Sequence, residues 1–180
     1  MSMKKSIFKK FLIIATTSLL AGLAQSNELN ESINFNNQKE YTLFYNHSSY
    51  NGSHNKKDIE TSILEGLNYW FDCSKKQVSL SNVEIEFQIV WTNSLNSNEF
   101  GAANYKKQNN EIISFTIELN NNKNLSLLEI EKISAHEFGH ILEIEHNINN
   151  DSIMNFSAST MLSQTINKEK DNSLCKQRLL

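Results

Sequence analysis

The chain has 180 residues, enough for one domain with a buried core. Its 17 basic and 20 acidic side chains leave a formal charge of −3, so no basic excess points to nucleic acid or an anionic membrane as partner. With only two cysteines, it is not a disulfide-dense scaffold.

Residues 1–26 read as a secretory signal. Lys4, Lys5, Lys9 and Lys10 make a basic start, residues 11–24 an apolar run, and Ala24-Gln25-Ser26 a small-residue cleavage site. The run is about fourteen residues, short of the roughly 20 that span a bilayer as a helix. No cysteine beside the site could carry a lipid. Cleavage leaves an exported protein, periplasmic or secreted, with no stable membrane anchor. Losing four lysines and no acids takes the formal charge from −3 to −7. Residues 27–40 are polar and Asn-rich, a loose leader, and 41–180 form one folded domain, expected as a monomer.

Residues 41–45 have strand composition. The polar loop 47–57 carries His47 and His54, read as solvated in preference to a second metal site. Over 58–73 the residues Ile59, Ile63, Leu67, Trp70 and Phe71 recur at helical spacing, which predicts a core-facing helix with Trp70 and Phe71 as packing residues. Val83, Ile85, Phe87 and Ile89 alternate with Glu84, Glu86 and Gln88, a half-buried strand that Val90 and Trp91 extend. Residues 100–105 suit a short strand or turn. Residues 112–119 form a strand with Ile113, Phe115, Ile117 and Leu119 on one face. Ser126-Leu127-Leu128-Glu129 is a capping box, starting a helix that runs to about Leu142. Residues 159–170 suit a last helix, ending near Cys175. In an oxidising compartment Cys73 and Cys175 could pair, stabilising the fold by roughly 4–5 kcal/mol. The alternative is two separate buried thiols.

Within the capped helix lies His136-Glu137-Phe138-Gly139-His140, an HExxH motif, and His146 follows six residues after His140. Residues four apart share a helix face, so His136 and His140 can aim at one metal ion with Glu137 beside them. A third imidazole from His146 leaves a fourth tetrahedral position open for water, as in catalytic rather than structural zinc. By chance HExxH arises about once in a hundred such chains, and with His146 about three times in ten thousand. Glu137 also falls inside the apolar arc between Ile133 and Ile141, where a bare carboxylate is costly and a neighbouring cation would relieve it.

At these residues the chain resembles the metzincin clan of zinc metallopeptidases, most closely its matrixin-like members. Their pattern is HExxHxxGxxH followed by a Met-turn, which Ser152-Ile153-Met154 matches here. The resemblance implies an α+β, zincin/metzincin-like fold. Such a fold has a twisted mixed sheet with an antiparallel edge strand, an active-site helix, a Met-turn and a C-terminal helix. It further implies that 41–180 is a metalloendopeptidase domain holding one catalytic Zn2+ on His136, His140 and His146. Glu137 would be the general base for a metal-activated water, and Met154 a floor beneath the histidines. Peptide or protein would be the substrate, extended beside the strand near residues 113–119. For calcium the sequence carries no signal in either direction.

Three departures stand out. The family glycine is Glu143, which makes ligation by His146 costlier by about 1–2 kcal/mol through its left-handed backbone. Phe156 stands where some metzincins carry a tyrosine, so no hydroxyl is available there, and no cysteine-switch segment precedes residue 41. One rival reading takes a distant glutamate as third ligand; Glu143 and Glu145 lie too close, leaving Glu169. Another is a catalytically inactive, secreted metal-binding or protein-binding module on the same fold.

Overall fold

The computed structural model describes residues 40–83, 85–109 and 111–179; the stretches read from sequence as a signal and a leader, up to residue 39, lie outside them. The fold is α+β, built on a five-stranded mixed sheet of order β2-β1-β3-β5-β4. Its strands are β1 (Glu40–Asn46), β2 (Gln77–Ser81), β3 (Phe87–Thr92), β4 (Gly101–Gln108) and β5 (Glu111–Asn120). The first four in spatial order run parallel, and β4 closes the sheet antiparallel to β5.

Period-two patterning sets the sheet's buried face. Tyr41, Leu43 and Tyr45 of β1, Ile89 and Trp91 of β3, and Phe115, Ile117 and Leu119 of β5 are all buried. Helix α1 (Lys56–Leu67) is capped by Asn55 and buries Ile59, Ile63 and Leu67. A 3-10 turn over Asn68–Trp70 and a short helix α2 (Phe71–Ser74) follow. Helix α3 (Leu127–Ile141) carries the predicted capping box intact: Ser126 takes the Glu129 N–H and Glu129 takes that of Ser126. Trp70 is fully buried and its indole Nε1 donates to the Ala135 carbonyl at 2.7 Å, which locks the turn after α1 onto α3.

Several sequence expectations are corrected. The helix read over 58–73 breaks at Asn68, and the change of direction leaves Phe71 42% exposed instead of packed. Strand character does not reach back to Val83, which is 70% exposed; pairing of β3 begins at Phe87↔Phe115 and, with β1, at Phe44↔Gln88. Ile113 is exposed because the β4–β5 register slips between Lys106 and Lys107, so Ile112 turns inward in its place. The last helix is two: α4 (Ala158–Ser163) and α5 (Lys168–Leu179). Lys132 takes the carbonyls of Met161, Leu162 and Gln164 where α4 ends, and Asn167 accepts the Lys170 N–H where α5 begins.

Helix α5 is polar almost all round, so apolar burial alone does not dock it. Cys175, fully buried, forms a disulfide with Cys73 of α2 across a Cα–Cα distance of 6.0 Å. Asp171, one turn earlier on the same face, is fully buried too. Among the described residues no helix is long and apolar enough to cross a membrane.

Candidate metal centre

His136 and His140 lie one turn apart on α3, and the chain must reverse for His146 to meet them. The reversal is a complete Schellman cap: Glu143 N–H reaches the His140 carbonyl at 2.9 Å and Ile144 N–H the Gly139 carbonyl at 2.9 Å. Such a cap needs a left-handed residue after its C-cap, and Glu143 takes that conformation with φ 56°. Beyond it, Asn147 N–H bonds the Met154 carbonyl and Phe156 N–H the Asn147 carbonyl, which fixes the segment carrying His146.

The three rings converge. Nε2 of His136 stands 3.0 Å from that of His146 and 3.2 Å from that of His140, and the last pair is 3.1 Å apart. His136 Nδ1 donates to the Ile153 carbonyl at 2.7 Å and His140 Nδ1 to the Ile144 carbonyl at 3.2 Å. Those bonds put the protons on the outer nitrogens and turn the Nε2 lone pairs inward. Lone pairs facing one another repel, and a cation between them removes the conflict. With zinc–nitrogen bonds of about 2.0–2.1 Å at tetrahedral angles, neighbouring nitrogens lie about 3.3 Å apart, so the observed spacing fits. Burial, reinforced by the other two rings and opposed by the Ile153 bond, pushes His136 down to about 4. Burial and His146 lower His140 as well. Neutral imidazole is the form that ligates. These three side chains are the one group among the described residues whose ligand atoms could hold a metal ion.

Glu137 sits beside them, 6% exposed, and burial with Glu99 nearby pushes its carboxyl up to about 8. It lies under the first residue of β4. A methyl group on Gly101 would stand 3.0 Å from Glu137 Oε1 and 2.7 Å from Ile133, so glycine permits this approach. All four residues line a cleft of about 340 Å³, walled by Gly101, Ala102 and Ala103 of β4 and by Phe156, which is 66% exposed. Strand β5, read as the strand beside an extended ligand, is paired on both sides; the free sheet edge at the cleft is β4.

Met154 is fully buried, its sulfur lying where a side chain on Gly139 would go. The turn before it is held by Asp171. That carboxylate accepts from Ser152 Oγ at 2.5 Å, Ile153 N–H at 2.8 Å and Tyr69 OH at 2.8 Å. Ile153 thus links Asp171 through its N–H to His136 through its carbonyl. Burial and the adjacent Asp171 raise the Tyr69 phenol well above its ordinary value. Sequence reasoning missed Asp171; the hint was an acid at one-turn spacing from Cys175 in an otherwise polar helix. His47 and His54 join no group of three ligands among the described residues: Tyr45 OH bonds His47 Nδ1 at 2.9 Å, and His54 Nε2 donates to the Leu125 carbonyl at 2.9 Å. Glu169 is not among the grouped ligands.

No family model matches the sequence, and no curated protein matches it. The fold is similar to that of archaemetzincin from Methanopyrus kandleri, known from a crystal structure, with a TM-score of 0.52. Identity is 13%, over 79% of this chain and 96% of that one, so the likeness is one of fold.

Proposed function

We propose that the chain is a zinc-dependent endopeptidase of the metzincin kind, matrixin-like in its motif. The observation that carries this reading is the set of three Nε2 atoms 3.0–3.2 Å apart with lone pairs turned inward, next to a buried carboxyl in a cleft. The fold likeness to archaemetzincin, whose name places it among metzincins, supports it.

His136, His140 and His146 would hold the ion. Bound zinc supplies a Lewis acid that brings the pKa of water toward about 7 and polarises a carbonyl. Glu137 takes the proton from water as its oxygen attacks the scissile carbon. When the C–N bond breaks, Glu137 gives that proton to the departing amine. A carboxyl held near 8 by burial falls when a cation sits beside it, which suits a group that must both accept and return a proton near neutrality. An extended peptide would add to the free edge of β4, its backbone meeting Gly101–Ala103. Met154 would act as the Met-turn floor. Export after removal of residues 1–26 and a monomeric state complete the proposal.

Glu143 in place of the family glycine is the feature that would favour an inactive module, and its left-handed φ, with His146 in the cluster, supports the three-histidine reading instead. Glu137→Ala tests the reading. The variant is expected to bind zinc and fold like the parent while losing casein hydrolysis by at least a hundredfold. Hydrolysis equal to the parent would refute the role given to Glu137.

A further inference from the structure

We infer that Lys107 and Arg178 are positioning residues for His146, acting through Glu143; this rests on the metal-centre reading above and adds its support. The residue after the C-cap of α3 has φ 56°, a region where a side chain clashes with its own carbonyl and where glycine is the usual occupant. Nothing in the local chain of a glutamate favours that conformation. Its carboxylate, however, is drawn between two cations from different elements. Lys107 Nζ, at the end of β4, pairs with Oε1, and Arg178 Nη2, on α5, lies 3.4 Å from Oε2. The Glu143 side chain is only 13% exposed, while Lys107 and Arg178 reach it from the surface, 34% and 47% exposed.

Each cation is itself delivered by a specific feature. Lys107 stands at the register slip of the β4–β5 hairpin, which re-aims the strand end. Arg178 is two turns along α5 from Asp171 and one turn from the Cys175 disulfide, on the same face. A glutamate thus holds the left-handed turn by its side chain, as a glycine would permit it by lacking one. His146 follows Glu143 by three positions, so a turn that relaxes toward right-handed backbone swings that imidazole off the other two.

The test is a thermodynamic cycle on the full chain. Lys107→Met with Arg178→Met is expected to weaken zinc binding about tenfold in competition with a chromophoric chelator, the factor a left-handed non-glycine residue forfeits when nothing holds it. Glu143→Gly is expected to bind within about threefold of the parent, and adding the two substitutions to it should change affinity less than about twofold. In the metal-free chains, amide exchange at Glu143 and Ile144 should quicken in the Lys107→Met, Arg178→Met variant alone. Zinc affinity and exchange both equal to the parent overturn the proposal, as does an equal loss in the glycine background. A parent that takes up no zinc refutes the metal-centre reading instead, and the exchange rates still decide this one.

Discussion

Asp171→Asn probes the support beneath the metal centre. The carboxylate is fully buried and accepts from Ser152 Oγ, Ile153 N–H and Tyr69 OH. Asparagine keeps one acceptor oxygen and puts an NH2 where the other stood, so at least one buried donor loses its partner and faces another donor. An orphaned buried group costs about 1–3 kcal/mol, and losing charge assistance on the remaining bonds adds about 1 kcal/mol, giving about 2–4 kcal/mol in all. Because Ile153 also accepts from His136 Nδ1, the change should reach the ligand, weakening zinc about tenfold as such outer-shell losses do. Urea unfolding of metal-free protein reads the first quantity and chelator competition the second. Tyr69→Phe, which removes one donor without orphaning another, should cost about 1 kcal/mol and leave affinity unchanged. A destabilisation under about 0.5 kcal/mol in Asp171→Asn would refute the argument that this carboxylate secures the turn.

Metal-free protein should lose stability on the alkaline side. Between 6.5 and about 8 the unfolded chain has released the Glu137 proton while the folded chain, with its carboxyl pushed to about 8, retains it. Folding therefore weakens as pH rises, by about 2 kcal/mol over that interval, and Glu137→Gln should flatten this limb. On the acid side His136, held down at about 4 against its ordinary 6.5, is protonated in the unfolded chain first. In the parent Glu137 acts the opposite way between its ordinary 4.5 and 6.5 and offsets this. The acid limb is therefore read in Glu137→Gln, whose stability should fall as pH drops from 6.5 through 4. Midpoints that do not move with pH, in the parent above 6.5 or in Glu137→Gln below it, would contradict the corresponding limb. Replacing Cys73 and Cys175 with serine opens a loop spanning 102 residues and should cost roughly 4–5 kcal/mol, read as a lowered urea midpoint. An unchanged midpoint would show that α5 is docked without the covalent link.

What was legible in the sequence was local. The capping box, the stripe Ile59, Ile63, Leu67, and the HExxH spacing each depend on residues a turn apart, and each stands where it was read. Pairing between distant segments was not legible. Strand β2 has only Val78 buried among polar neighbours, so its composition hides it until β1 lies alongside. The register slip that exposes Ile113 is set by the partner strand, and alternation read on one strand cannot register it. For the same reason residues 100–105 read only as a short strand or turn, although β4 runs on to Gln108 and forms the cleft wall. At Glu143 the family pattern marked a departure, while the cations that accommodate it come from residues 107 and 178, far away in sequence.

The most direct measurement is the metal content of the protein purified without added zinc, then titrated with zinc, beside His146→Ala. One ion per chain in the parent, and affinity lower by a hundredfold or more in the variant, is the predicted result for a site closed by three imidazoles. Zinc bound equally well by His146→Ala, or not bound by the parent at all, would contradict it.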